Sequence, residues 1–335
     1  MILVTGGTGL LGAHVLCKLA AQQKSVRAIY RTKSSLKMVQ NVFSYYSKSP
    51  EVLFDSIEWV EADITDVPAL DAAFKNVNQV YHCAANLSFN SKDYLLSRTV
   101  NVVGTANIVN LCLSHNIEKL CHVSSIATLG EDTTAPIKET TPWNPENNKH
   151  NIYAITKYDA ELEVWRGVQE GLDVIIVNPG VILGSGFWNS GTGEIFKKVA
   201  NGFKYTTSGT VGVVDVNDVA KTMIRLTDSN IVNEQFIVVS ENITYRKLIE
   251  TIAKSLGKSS LLKEVKRWQL LVYLQLDKLQ SILTSRKRSL YKANINSAFK
   301  TLKYDSSKLK NVLEFDFVLV TASVTSIVAN YKKEH

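Results

Sequence analysis

The sequence predicts a doubly wound parallel α/β sheet over residues 1–180, followed by a smaller mixed α/β lobe over 181–335. Three observations carry this. Short apolar runs recur between helical segments through the first half, the mark of repeated strand–helix–strand units. A glycine cluster joins the first run to a helix. After Pro179 the pattern loosens into NPGVILGSGFWNSGTGE, rich in Gly, Ser and Asn.

Ile2, Leu3 and Val4 form the first strand signal, and Leu10, Leu11, Val15, Leu16 and Leu19 follow at helical spacing. Between them lies TGGTGLLG, readable as Gly7-x-Gly9-x-x-Gly12 or Gly6-x-x-Gly9-x-x-Gly12. A turn of this kind brings backbone close to a ligand and offers unpaired N–H groups at a helix start to an anion. It is the fingerprint of dinucleotide binding, and on its own also the pattern of a tight structural loop. Further strands are expected at VRAIY (26–30), IEWV (57–60), QVYHC (79–83), KLCHVSS (119–125) and DVIIVN (173–178). Helical periodicity marks TDVPALDAAF and residues 94–115. Later, 211–228 reads as a strand and helix returning to the first domain, and Thr244 opens a helix that stops before a glycine.

At 335 residues the chain can bury a large core. No run approaches the length of apolar chain that spans a bilayer, and the first strand begins at Met1, so a cytoplasmic protein is expected. Cys17, Cys83, Cys112 and Cys121 form no C-x-x-C pair and the six histidines no ligand spacing, so neither a metal nor a disulfide framework is expected. The net charge of +7 is local. Residues 254–310 hold fourteen Lys and Arg against three acids, a net of +11, which leaves −4 for the rest. Within them 266–288 reads as an amphipathic basic helix, either packed on its own domain with a solvated basic face or resting on an acidic membrane surface or partner. No nucleic-acid recognition motif accompanies the charge.

An enzyme using NAD places an acid about twenty residues past the glycines, on the ribose 2′-OH. Nineteen past Gly12 stands Arg31, with Lys33 and Ser34 beside it. A guanidinium grips a 2′-phosphate that a carboxylate would repel, so NADP is expected over NAD.

In NIYAITKYDAELE, Tyr153 and Lys157 are four apart, on one face of a helix. Such a pair is common by chance. An ammonium beside a phenol stabilises the phenolate, and the pair is expected to lower the Tyr153 pKa into a range useful for proton exchange. Upstream, CHVSSIATLG sets Ser125 at the carboxyl edge of the sheet, where it can donate to the same substrate oxygen.

With these parts assembled, the chain resembles the extended short-chain dehydrogenase/reductase family, within the NAD-dependent epimerase/dehydratase superfamily. ADITD (62–66), HCAA (82–85), NVVGT (101–105) and NPGVILGSG (178–186) extend the match over about 240 residues. The resemblance implies a Rossmann fold. It implies that Gly6, Thr8, Gly9, Leu10, Leu11 and Gly12 hold the pyrophosphate and that Asp63 and Ile64 contact adenine. It further implies that Cys83, Ala84 and Ala85 line the cofactor and that Pro179 and Gly180 pack near the nicotinamide; Asn101, Ser124 and Val181 complete the cofactor set. Tyr153 is then the acid/base, Lys157 also binds the nicotinamide ribose, and Ser125 polarises the substrate oxygen, with Ser124 as the competing hydroxyl.

The arginine that closes VRAIYR is similar to the dihydroflavonol reductase-like NADPH carbonyl reductases. Sugar-nucleotide epimerases usually carry an acid there and keep NAD bound; a hydroxysteroid dehydrogenase-like branch also stays open. Dehydratases of the family carry Thr-Asp-Glu where this chain has Ser125-Ile126-Ala127. The expected reaction is NADPH-dependent interconversion of a carbonyl and a secondary alcohol on a small apolar or ring-bearing substrate. Ser88, Phe89, Asn90, Trp143, Phe187 and Trp188 are placed either to touch that substrate or to pack the lobe. Family members often pair as homodimers through helices beside the catalytic one. A cofactor-sensing scaffold on the same fold is the alternative of another class, and it has no use for a tyrosine beside an ammonium.

Overall fold

The computed structural model describes residues 1–259, 261–284, 288 and 290–335. Its strands are β1 (Ile2–Thr5), β2 (Val26–Tyr30), β3 (Ile57–Glu61), β4 (Gln79–His82), β5 (Lys119–Val123), β6 (Val174–Pro179), β7 (Val181–Leu183), β8 (Tyr205–Thr206), β9 (Thr210–Asp215), β10 (Glu234–Val238), β11 (Glu241–Thr244) and β12 (Lys263–Glu264). Seven form one parallel sheet in the order β10-β6-β5-β4-β1-β2-β3. Ile2 pairs with Val26 on one side and Gln79 on the other, so the order reverses at β1, and a ligand crevice is expected at the carboxyl ends of β1 and β4.

Both faces of the sheet are covered, which is why its strands are apolar runs rather than alternating patterns. Leu16 and Leu19 of the helix Leu10–Ala21 join Val219 and Met223 of the helix Val216–Thr227 on one face. Phe74, Ile108 and Val164, from three further helices, fill the other.

The segment 211–228 divides. Its helical half packs against the first helix, as expected of a return to the large sheet. Its strand half does not return: β9 sits between β7 and β11 in a separate three-stranded sheet. The seventh strand is instead β10, whose Phe236 pairs with Val177. The boundary at residue 180 is therefore crossed again by 234–238. β9 is buried from Val211 to Asp215 because helices Gly193–Ala200, Tyr245–Ser255 and Val320–Glu334 close over the smaller sheet. The Thr244 hydroxyl caps the second of these by accepting from the Lys247 N–H at 3.1 Å.

The expected helix within 266–288 forms as Arg267–Thr284. Arg267 and Lys278 are exposed on it, and so is an apolar stripe of Trp268, Val272, Leu276 and Leu279. Arg286 and Lys287, part of the expected basic stretch, lie outside the described residues. Among the described residues no helix is long and apolar enough to cross a membrane.

Candidate active site

The glycine turn is tight. Gly6 has φ +66°, and a Cβ there would lie 2.5 Å from the Ala84 nitrogen; a Cβ on Gly12 would lie 2.2 Å from the Gly6 carbonyl oxygen. Only glycine allows this approach. Gly9 then opens the helix Leu10–Ala21, whose first turn carries no acid and whose leading N–H groups lack partners within the helix. That is a seat for a phosphate.

Behind the turn lies a cleft of about 230 Å³. Gly6, Thr8, Gly9, Arg31, Asp63, Ile64, Cys83, Ala84 and Ala85 line it, joined by Ile29, Tyr30, Ala62 and Val100, which the motifs did not single out. The Asp63 carboxylate accepts from the Thr65 N–H and hydroxyl at 2.8 and 2.7 Å. Its other oxygen stands 3.8 Å from Arg31, whose side chain is 72 % exposed. An exposed pair of this kind contributes at most about 1 kcal/mol, so the guanidinium is easily redirected.

The rest of the expected cofactor set stands outside this cleft. Leu11 and Gly12 are buried in the first helix and Leu10 is half-buried. Lys33 is exposed in a short turn. Pro179, Gly180 and Val181 join β6 to β7, with the Gly180 N–H donating to the Val238 carbonyl at 3.1 Å. Asn101 is buried; its amide donates to the Asn86 carbonyl and the Thr156 hydroxyl, both at 3.0 Å, and clamps the chain after HCAA to the helix that carries Tyr153 and Lys157.

That helix, Ile152–Gln169, is capped by Asn151, whose side chain accepts from the Ala154 N–H at 3.2 Å. Tyr153, Lys157 and Glu161 follow one another up a single face. Tyr153 is half-buried, with the Ser125 side chain near enough to act on its pKa, and its ring centroid lies 5.9 Å from that of Phe89. Ser125 is held firmly: its carbonyl accepts from the Thr128 N–H at 3.1 Å, the Thr128 hydroxyl at 2.8 Å and the Asn178 amide at 3.1 Å.

The expected acidification of Tyr153 by Lys157 is corrected by this geometry. Burial pushes the phenol above its ordinary value, and the group that pulls it back is Ser125. The Lys157 ammonium is 2 % exposed and donates to the Val123 carbonyl at 2.7 Å. Burial lowers its pKa to about 8, against opposing pulls from Glu161 and Cys83.

Ser124 points away from Ser125, into the core, where its hydroxyl donates to Glu161. The same carboxylate accepts from Thr128 at 2.8 Å, from Asn178 at 3.2 Å and from Gln235 at 2.9 Å. Sequence reasoning missed Glu161. The signal was its place one further turn past Lys157, where an acid reads as a surface ion pair.

Of the aromatic residues placed to touch substrate or pack the lobe, Phe89 stands by Tyr153 and Trp143 stacks on Tyr158 at 4.5 Å. Trp188 takes the packing alternative. It is 4 % exposed, edge-on to Tyr331 at 5.0 Å, because the short sheet needs a large side chain to fill the gap beneath the last helix. Phe187 packs against the large sheet's core.

Residues 2–239 match the model of the NAD-dependent epimerase/dehydratase family. A protein of Synechocystis sp. provisionally named dihydroflavonol 4-reductase is 26 % identical over 91 % of this chain and 87 % of its own. Sterol demethylase protein B of Methylococcus capsulatus is 27 % identical over 76 % of this chain and 74 % of its own. The UDP-glucose 4-epimerase of Dictyostelium discoideum is 31 % identical over 44 % of this chain and 42 % of its own. The crystal structure of gox2253 superposes with a TM-score of 0.81 at 24 % identity, covering 100 % of this chain and 98 % of that one.

Proposed function

The chain belongs to the NAD-dependent epimerase/dehydratase family, and within it we propose an NADP(H)-dependent oxidoreductase that interconverts a carbonyl and a secondary alcohol on an apolar or ring-bearing substrate. One observation carries the reading: Tyr153 and Lys157 share one face of a helix, with the Ser125 side chain near enough to act on the phenol and the Phe89 ring beside it. Two hydroxyls can address one substrate oxygen, and an aromatic ring suits an apolar substrate body.

A nicotinamide cofactor held at the Gly6–Gly12 turn would supply the hydride that reduction of a carbonyl carbon needs, or accept it in the reverse direction. In reduction, Tyr153 gives its phenolic proton to the carbonyl oxygen while Ser125 donates a second hydrogen bond there. A phenol held above its ordinary pKa is protonated at neutral pH, which is the form that reduction requires. Lys157, one turn further up the same helix face, keeps the role of binding the nicotinamide ribose through its ammonium.

That charge has a pH limit. Lys157 is cationic below its folded pKa of about 8 and neutral above it, so kcat/KM for reduction is expected to fall as pH rises through that value. The measurement is a pH profile with NADPH. A rate unchanged well into the alkaline range removes the charge from the mechanism.

Arg31 at the cleft edge, with no strong partner, supports NADP over NAD. Arg31→Ala is expected to raise KM for NADPH about tenfold to a hundredfold and to leave KM for NADH nearly unchanged, since a charge-assisted bond contributes about 1.5–3 kcal/mol. Equal losses for both cofactors would rule out 2′-phosphate recognition.

The function is tested by consumption of NADPH with a panel of ketones, aldehydes and hydroxysteroids. The epimerase reading predicts instead NAD that co-purifies, interconversion of UDP-sugars and no net NADPH use. Four unpaired cysteines suit a reducing compartment, and we place the enzyme in the cytoplasm. A homodimer through the helices beside the catalytic one belongs to the same reading, supported by exposed Leu95, Leu96, Val103 and Leu162.

A further inference from the structure

The helix Arg267–Thr284 leaves much apolar surface in water. Trp268, Val272, Leu276 and Leu279 stand at i, i+4, i+8 and i+11, a single stripe, and each is 53–61 % exposed. The inward side carries Leu274 and the buried Asp277, which is ion-paired to Arg288 at 3.9 Å. A charge is buried and a tryptophan is in water. At the start of the helix Leu261, 81 % exposed, lies two residues before β12, which pairs with β8 through Lys263 and the exposed Tyr205.

Cations surround this surface. Lys263, Lys266, Arg267 and Lys278 are exposed along and beside the helix, within the stretch whose net charge is +11. The chain just past the helix reaches toward the residues that precede Tyr153. In the chain that follows it, Tyr291 feels the Asp93 charge, and the Lys292 amine lies 3.4 Å from the His150 ring, three residues before Tyr153.

We propose that this helix docks the enzyme on an anionic lipid bilayer, lying in the interface plane with its stripe among the upper acyl chains and its lysines at the phosphates. An in-plane helix with Trp and Leu on one face and cations at its flanks has the chemistry of that interface. The charge selects this occupant over a second copy of the chain, because two copies meeting here would set like-charged segments together, whereas anionic headgroups attract them. Docking would then bring the chain beside His150 close to the membrane, where an apolar carbonyl compound would be concentrated. This last step rests on the proposed substrate class; the docking does not.

The test is flotation of the full chain with vesicles of phosphatidylcholine alone or with a quarter phosphatidylglycerol, at low and high salt. Binding is expected to the anionic vesicles and to weaken with salt. The triple variant Val272→Gln, Leu276→Gln, Leu279→Gln is expected to bind at least about tenfold more weakly, since each apolar side chain contributes to insertion. These side chains are exposed, so the variant should keep the wild-type thermal shift with NADPH and its turnover of a water-soluble carbonyl compound. Failure to float on either vesicle, equal flotation of variant and wild type, or a stripe whose only effect is on oligomeric state by light scattering would each overturn the docking. Loss of NADPH turnover in the wild type would instead strike the proposed function.

Discussion

Tyr153→Phe is expected to lower kcat/KM for carbonyl reduction by about 10²–10⁴-fold, the range general acid catalysis supplies. The ring keeps its packing against Phe89, and only the proton is lost. Affinity for NADPH, read by fluorescence titration, should change little, because the cleft lies around the glycine turn and Arg31. The loss therefore belongs to kcat. Ser125→Ala should cost less, since it removes one neutral hydrogen bond to the oxygen and leaves the proton donor in place. A Tyr153→Phe enzyme with full activity would take the phenol out of the proton transfer.

Glu161→Leu is expected to cost about 3–5 kcal/mol in stability, the usual result of removing one partner from a buried, hydrogen-bonded charge. Four side chains converge on this carboxylate, from the end of β5 (Ser124), the turn after it (Thr128), β6 (Asn178) and β10 (Gln235). It ties three neighbouring strands to the catalytic helix. Urea unfolding with an unchanged m-value is the measurement, and a variant as stable as wild type would show that the clamp carries no weight. Glu161→Gln keeps the shape and should cost less, about 1–3 kcal/mol, because its NH₂ group faces donors. It has a second readout. Glu161 raises the Lys157 pKa, so its neutralisation should move the alkaline limb of the pH profile below about 8. A purely structural role would leave that limb in place.

The first six strands of the large sheet were legible within a residue or two, because a sheet covered on both faces demands continuous apolar runs. The glycine turn, Arg31, Ser125, Tyr153 and Lys157 stood out as candidates because each is a residue type whose local chemistry suggests a use. What was not legible depends on distant parts of the chain. EQFIV at 234–238 is a short run, and nothing local says that it returns to pair with β6. Glu161 looks like a surface acid until Asn178 and Gln235 arrive from other strands. The fall and rise of the Lys157 and Tyr153 pKa values likewise follow from burial, which spacing does not encode. The helix Arg267–Thr284 was read as amphipathic, either packed on its domain or resting on a surface, and only the fold shows that an apolar stripe stays exposed.

The late arrival of β10 bears on how the protein is made. A ribosome that has released the first 180 residues has delivered six strands and left the outer side of β6 without its neighbour, an apolar edge open to any extended chain nearby. The seventh strand reaches it only after the whole of β7 to β9 has been synthesised. The nascent enzyme is thus exposed to mispairing through that interval, and a fragment cut at the apparent domain boundary should precipitate where one extended through Val238 stays in solution.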